Sequence, residues 1–413
     1  MPAGSPSPAP RRTGLAGATV VLGVSGGIAA YKAADLASKL VQAGAEVHVA
    51  MTDGATRFVQ PLTFQALTHH PVFTSVFDGW EEGSRGHVTL AAGADVVVIA
   101  PATANTIARL ATGMVDDMLG AICLATQAPL VIAPAMEHHM WHHPATQANL
   151  ATLRERGALI VEPERGYLAS GAQGDGRLAA IERILGAMRR ALGLGGPLAG
   201  RRIVVSAGGT REALDPVRYL GNRSSGAMGI AIAESAVARG AEVTLVAGPT
   251  LASHPAGMRV VAVESAREMA AAVQDAVVDA DVLVMAAAVA DFRPRTQATG
   301  KIKKQPGQES MQIDLVRNPD IIAETNRPGL IKVGFAAETD DLEANARAKL
   351  ASKGLAMIVA NDAVRTIGSA ESEATLLYPD REVERLPSMP KSALAERIVD
   401  AVQELIAARG GAA

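Results

Sequence analysis

Between Ala18 and Val24 the chain runs through apolar and small residues without a charge, the pattern of a strand buried on both faces. The glycine pair Gly26-Gly27 follows, then a segment with helical spacing, then Gly44-Ala45-Glu46-Val47 leading into another apolar run. The same order returns later: Arg202–Ser206, Gly208-Gly209, a helical pattern, and Gly240-Ala241-Glu242-Val243. Further strands are predicted over Asp95–Ala100 and along the apolar run Val282–Ala290. Strands alternating with helical segments in both halves predict an α/β fold. It should hold two doubly wound (Rossmann-like) parallel sheets with ligands gathered at the carboxyl ends of strands.

Two composition breaks divide the chain. Residues 1–14, rich in Pro, Ser and Gly, offer nothing to bury and read as a disordered tail. The Gly-rich stretch Leu192–Gly200 follows a helical segment with Arg189 and Arg190 in its last turn, and marks a linker over 191–200 between domains at 15–190 and 201–413. A length of 413 residues agrees with two cores, and with only 2 Trp, 4 Tyr and 6 Phe these must be built from Ala, Val, Leu and Ile. A net charge of -3 and the lack of a basic stripe interleaved with aromatics argue against nucleic acid as a partner. No apolar run approaches the roughly 18 to 20 residues of a spanning helix, so no membrane partner is expected. The single cysteine, Cys123, sits in an apolar segment and reads as core; it fits a reducing cytoplasm.

The spacing between the landmarks differs in the two halves. Gly27 to Gly44 is 17 residues and Gly209 to Gly240 is 31, and the extra 14 fall in Thr210–Gly226, a polar stretch with Pro216 expected to form a functional loop.

In the first half, Ser25-Gly26-Gly27 between strand and helix suits a phosphate on a helix N-terminus, although a tight turn would also need the glycines. Pro101–Thr106 is more specific. Small residues, the hydroxyls of Thr103 and Thr106 and the amide of Asn105 suit a flat heterocycle, and Gly113 and Asp116-Asp117 follow. His87 is a candidate base. These pieces, with Thr52, Pro134-Ala135-Met136, Met140-Trp141 and Gly171–Arg177, resemble the homo-oligomeric flavin-containing cysteine decarboxylases. Within them the match is to the phosphopantothenoylcysteine decarboxylase half of the bacterial bifunctional coenzyme A enzymes, over about residues 17 to 185.

That resemblance implies FMN held by Ser25, Gly26, Gly27, Thr52, Thr103, Asn105, Thr106 and Met136. FMN would oxidise the substrate thiol so that the adjacent carboxylate leaves as carbon dioxide, with His87 as base, and would then return a hydride while a protein acid supplies a proton. Two positions depart from the family pattern: Glu137 stands where Asn is usual, and Ser170 where a proton-donating Cys is usual. Either another acid, Glu137 or a water on Ser170, completes the cycle, or this half stops at the oxidatively decarboxylated enethiol.

In the second half, amide formation from a carboxylate needs activation, and an anionic substrate with a nucleotide needs positive charge and backbone N–H groups. Ser206–Thr210, Ser224-Ser225-Gly226, Lys301-Ile302-Lys303-Lys304, and Lys349 with Lys353 on one helix face could supply them. Asp291, at the end of the apolar run, is a candidate metal or ribose ligand. From about 200 to 408 the chain resembles the phosphopantothenate–cysteine ligase half of the same enzymes. The strings are Ala207–Glu212, Asp215–Arg218, Asn222–Gly226, Ala286–Asp291, Lys301–Lys304, Asn318–Ile321, Gly334–Thr339 and Ala360–Asp362.

By that likeness CTP with Mg2+ converts 4'-phosphopantothenate to an acyl-cytidylate, and L-cysteine displaces CMP. CTP would be held by Ala286, Ala287, Asp291, Lys301, Pro319, Asp320, Ile321, Ile322, Phe335, Lys349 and Lys353. Asn222 and Lys301 would act on the intermediate. Arg218, Ser224, Ser225 and Gly226 would bind substrate, with Arg218 taking its phosphate. The metal ligands stay unassigned apart from Asp291. The resemblance further implies a cytoplasmic homo-oligomer, a trimer-based decarboxylase with a dimeric ligase. Two alternatives stay open: an active ligase with a rerouted flavoprotein domain, and a flavin-binding regulatory subunit.

Overall fold

The structure is a computed structural model describing residues 14–77, 86–250, 257–303, 309–338, 341–362, 369 and 371–410. The tail (apart from Gly14), Lys304 and Thr339 lie outside the described residues. The chain divides into two compact units, Met1–Gly196 and Pro197–Ala413.

In the first unit β1 (Thr19–Val24), β2 (Glu46–Met51), β3 (Val72–Phe73), β4 (Val96–Ala102), β5 (Leu130–Pro134) and β6 (Leu159–Ile160) form one sheet in the order β3-β2-β1-β4-β5-β6. All pairings are parallel. Alternate residues of each strand feed opposite cores. Leu22, Val24 and Val98 pack with Leu36, Leu40, Ile184 and Met188 of helices Tyr31–Gln42 and Ile181–Gly193. On the other face Ile99 and Ile132 meet Ile107 and Leu150 of helices Ala104–Thr112 and Pro144–Glu155. The chain moves outward from β1 one way and from β4 the other, so a crevice opens at the carboxyl ends of these two neighbours. A separate antiparallel hairpin, β7 (Glu164–Tyr167) with β8 (Gln173–Arg177), follows β6.

The second unit contains β9 (Arg202–Ala207), β10 (Arg211–Ala213), β11 (Tyr219–Gly221), β12 (Glu242–Ala247), β13 (Arg259–Ala262), β14 (Val282–Met285), β15 (Phe292–Pro294), β16 (Leu315–Arg317), β17 (Ile331–Glu338), β18 (Met357–Asp362), β19 (Glu371–Leu377) and β20 (Glu384–Pro390). Eight strands form its main sheet in the order β13-β12-β9-β14-β17-β18-β19-β20, with the switch between β9 and β14.

The expected parallel pairing holds from β13 to β18 and fails beyond, where β18, β19 and β20 run antiparallel. Residues 363–370 are too few for the crossover of about a dozen residues that a parallel neighbour needs. Edge strand β20 carries Pro387 and Pro390, which have no N–H to offer. The last helix, Lys391–Gly410, packs Leu394, Ile398 and Val402 into one core with Ile230, Ala233 and Val237 of helix Ala227–Ala238.

Helix Ile181–Gly193 runs three residues into the segment read as linker, and Leu198 is already buried in the second core, so the joint between units is shorter than expected. Among the described residues no helix is long and apolar enough to cross a membrane.

Candidate functional site

At the first crevice, Ser25-Gly26-Gly27 leaves β1, Thr52 leaves β2, Pro101–Thr106 spans the end of β4, and Met136 follows β5. The Ser25 hydroxyl donates to Pro101 O at 2.7 Å and accepts from Thr103 N at 2.9 Å. It is fully buried, so the side chain read as a cofactor contact instead clasps the ends of β1 and β4 together. At Gly26 the turn is so close to the next one that a Cβ would lie 2.5 Å from the Gly54 carbonyl carbon.

Thr52 caps helix Asp53–Thr56 by accepting from Ala55 N, and Thr103 caps helix Ala104–Thr112 by accepting from Thr106 N, each at 3.3 Å. Asn105 is exposed on that helix's first turn, while Thr106 is buried beside Thr103, with 3.1 Å between their hydroxyls. The acidic pair turns out to be structural. Asp117 caps helix Met118–Ala125 through Gly120 N at 2.7 Å, and Asp116 and Asp117 both pair with Arg109 at 3.1 Å. Cys123, on that helix, has its thiol pushed up to about 12 chiefly by burial and secondarily by Asp117, as a core thiol should.

Met136 N donates to Gly176 O at 2.9 Å, joining the segment after β5 to β8. Glu137 caps helix His138–His142, its Oε2 accepting from His139 N at 2.6 Å and Met140 N at 3.4 Å. The carboxylate offered as a possible acid is thus directed at the backbone N–H groups of the following helix. Ser170 is exposed in the turn of the β7–β8 hairpin, where Leu168 and Ala172 close the loop. His87 opens helix His87–Gly93, and its Nδ1 is buried with no hydrogen-bond partner among the described residues. Such an orphan ring nitrogen marks a group whose partner arrives with a ligand or water.

In the second unit a cavity of about 670 Å³ opens beyond the carboxyl end of β14, lined also by residues of β17, β18 and β19 and by the segment 222–229. It collects Asn222, Ser224, Ser225, Gly226, Ala286, Ala287, Asp291, Pro319, Asp320, Ile321, Ile322, Phe335, Lys349 and Lys353, all read from the sequence as site residues. Only the first four residues of the apolar run Val282–Ala290 are strand. Beyond Met285, Ala288 keeps backbone pairing with Gly208 and Thr210, and side chains hold the residues around it: Ala287 N donates to Ser206 Oγ at 3.1 Å, Ala290 N to Thr210 Oγ1 at 3.0 Å, and Asn222 Nδ2 to Val289 O at 3.0 Å. Asp291 therefore projects from a loop on the cavity wall and not from a strand end. Buried Asn318 secures that wall, its Nδ2 donating to Ala290 O at 2.8 Å and its N to Asp291 O at 2.8 Å.

Asp320 caps helix Ile321–Glu324 and pairs with Lys353 Nζ at 2.9 Å. Sequence reasoning missed Arg223, Arg317 and Lys391 as lining residues. With Lys349 and Lys353 they place five cationic side chains against the two carboxylates of Asp291 and Asp320. Lys391 was not legible because it begins a helix that reaches the cavity only by packing beside β19. Burial lowers its pKa from the ordinary lysine value.

Two predicted residues stand apart from the cavity. Arg218 is engaged by buried Asp215, with Nε and Nη2 at 3.0 and 2.6 Å from Oδ2, and Nη2 also donates to Ile302 O at 2.7 Å. In the structure it anchors the loop to residues 301–303. Lys301 is exposed and does not line the cavity; its neighbour Ile302 donates its N–H to Asp215 Oδ2 at 3.1 Å.

Residues 9–193 match the flavoprotein family, and residues 198–406 match the C-terminal domain of DNA/pantothenate metabolism flavoproteins. The two crevices thus belong to a flavoprotein unit and a pantothenate-metabolism unit carried on one chain. The coenzyme A biosynthesis bifunctional protein CoaBC of Vibrio vulnificus is 44% identical over 400 residues, 95% of this chain and 99% of that protein. The protein of the same name from Mycobacterium tuberculosis is 46% identical over 408 residues, 94% of this chain and 97% of that one. A crystal structure of the C-terminal domain of a coenzyme A biosynthesis bifunctional protein CoaBC aligns at 39% identity over 51% of this chain and 98% of that one, with a TM-score of 0.44. The chain belongs to the family of bifunctional coenzyme A biosynthesis proteins. It is an enzyme of that pathway, decarboxylase and ligase together, and neither a rerouted flavoprotein domain nor a regulatory subunit is favoured.

Proposed function

We propose that the second unit joins 4'-phosphopantothenate to L-cysteine by way of an acyl-cytidylate made from CTP, and that the first unit decarboxylates the product to 4'-phosphopantetheine with bound FMN. The observation that carries the ligase reading is the cavity beyond the end of β14, where cationic side chains outnumber carboxylates five to two. A site of that size and sign suits a nucleotide triphosphate beside a phosphorylated acid.

Ala286 and Ala287 leave room for a flat base, and Phe335 and Ile322 line the wall around it. Lys349, Lys353 and Lys391 balance phosphate charge, and Ser224, Ser225 and Gly226 offer polar groups at the start of a helix. Asp291 is the lining carboxylate not paired with Lys353, which makes it the choice for contact with magnesium on the phosphates. Asn222 fixes the 286–290 loop through Val289 O and so positions the reacting carboxylate. Lys301, on a segment tethered by Asp215 and Arg218, would close over the intermediate.

In the first unit the residues fit a flavin nucleotide: a crevice at the β1/β4 switch, a glycine turn pressed close at Gly26, and at His87 a buried ring nitrogen without a partner among the described residues. Gly26, Gly27, Thr103, Asn105 and Thr106 would hold FMN, whose chemistry when bound is to accept and return the two electrons of thiol oxidation. His87 would take the thiol proton, and the hairpin bearing Ser170 would cover the substrate. Exposed Ile28, Tyr31, Leu62, Phe77 and Leu124 support a first unit that assembles with further copies.

The test is product analysis of the purified chain given FMN, CTP, magnesium, 4'-phosphopantothenate and L-cysteine. Phosphopantetheine with CMP and pyrophosphate is expected. Absence of CTP-dependent pyrophosphate release would overturn the ligase assignment, and accumulation of phosphopantothenoylcysteine would overturn that of the first unit.

A further inference from the structure

His138 and His142 lie four residues apart on one short helix, facing Asp175 of β8. His142 Nε2 is 3.0 Å and His138 Nδ1 3.9 Å from Asp175 Oδ2, and one ligand atom from each of the three residues falls within 4.8 Å of the others. We propose that His138, His142 and Asp175 form a binding site for a divalent transition metal ion, zinc or its cobalt or nickel surrogate.

The donor set suits such an ion: two imidazoles and one carboxylate. Two donors about 2.1 Å from a tetrahedral ion lie about 3.4 Å apart, so the observed separations need only small rotations. The His138 ring is already fixed. It presses so closely on β8 that a Cβ at Gly174 would lie 2.9 Å from its Cγ. Its Nδ1 accepts from Asp175 N at 3.1 Å, so its lone pair is directed at that amide, with the Asp175 Oδ2 3.9 Å away. The ion would take that lone pair and the amide would turn aside.

Asp175 has no Lys or Arg in salt-bridge range among the described residues; its ion-pair partners there are the two imidazoles. All three side chains are partly exposed, so an ion can enter and keep a water ligand. Neighbouring His143 is used otherwise, its Nδ1 accepting from Ala145 N to cap the next helix.

Occupancy would have a mechanical effect. The helix follows directly on Met136 and Glu137, and β8 belongs to the hairpin bearing Ser170, so one ion would rivet the hairpin to the segment after β5. This second part rests on the proposed reading of the first unit as the decarboxylase; the binding does not.

The test is Co2+ titration of the full chain after chelation, followed by visible absorption and metal analysis. One saturable equivalent with a d–d band is expected. His142→Ala and Asp175→Asn should each weaken it by more than about 10-fold, the loss that even an outer-shell partner can cause. His139→Ala, and His48→Ala in the other His-containing group of Glu46, His48 and His70, should leave it unchanged. Circular dichroism and thermal unfolding of each full-length variant serve as the check that it is folded. Absence of saturable binding, or binding that survives His142→Ala and Asp175→Asn, overturns the site. Saturating Zn2+ should slow decarboxylation in the wild type and not in His142→Ala; equal rates with and without Zn2+ in the wild type overturn the rivet while the d–d band still decides the site.

Discussion

Glu137 shows how one side chain's bonds set the terms for its chemistry. With Oε2 accepting two backbone N–H groups, its negative charge is stabilised at a helix N-terminus and competes less with a substrate carboxylate. Glu137→Ala should cost about 0.5–2 kcal/mol by removing the cap, read in thermal unfolding. Glu137→Asn should keep the cap, stay within a few tenths of a kcal/mol, and lower KM for phosphopantothenoylcysteine. Ser170 poses the sharper question, because a hydroxyl is a far weaker acid than a thiol with pKa near ~8.5. If Ser170 stands where the proton is delivered, Ser170→Cys should speed the reductive half of the cycle by up to about 10²- to 10⁴-fold and raise the ratio of phosphopantetheine to enethiol. An unchanged ratio in single-turnover product analysis would assign the proton to another group.

At the scale of elements, the loop 210–226 is organised by a buried carboxylate. The Arg218 guanidinium holds the Asp215 carboxyl well below the usual carboxylate range against the opposing effect of burial, helped by the amides of Val217, Ile302 and Arg218 itself. A lowered folded pKa contributes stability that is present above the ordinary value of about 3.9 and is lost as pH falls below it. Wild type should therefore exceed Asp215→Asn in unfolding midpoint at pH 7, and the gap should close between about pH 4 and the acid limit. Arg218→Ala should raise KM for CTP, because Ile302 loses one of its tethers beside Lys301, and should leave KM for phosphopantothenate little changed.

This part of the site was hard to read in advance. The sequence marks which residues gather at strand ends, since glycine turns and apolar runs fix the crevice, and fourteen predicted ligase residues do line one cavity. It does not mark which polar groups are already satisfied. Ser25, Arg218 and Asp117 each look available in one dimension and each is bound to another part of the fold. Lys391 escaped notice for the converse reason, since nothing local distinguishes it from a solvated lysine. The antiparallel turn at β19 was equally silent, because an apolar strand reads the same in either direction.

For the whole chain, the division of the cores sets what can be separated. Residues 15–192 supply one set of hydrophobic clusters and residues 198–406 another, with no member in common among the described residues. A piece beginning at Pro197 should fold and retain CTP-dependent pyrophosphate release within a few-fold of the full chain, checked by circular dichroism and steady-state assay. Each unit's sheet ends in exposed edges, and the second meets that hazard with β20. A bare edge strand is a template on which an unrelated extended chain can add itself, and from which fibres grow. Pro387 and Pro390 interrupt the row of donors that such growth would need, so this flank resists stacking while the polypeptide is concentrated or newly made.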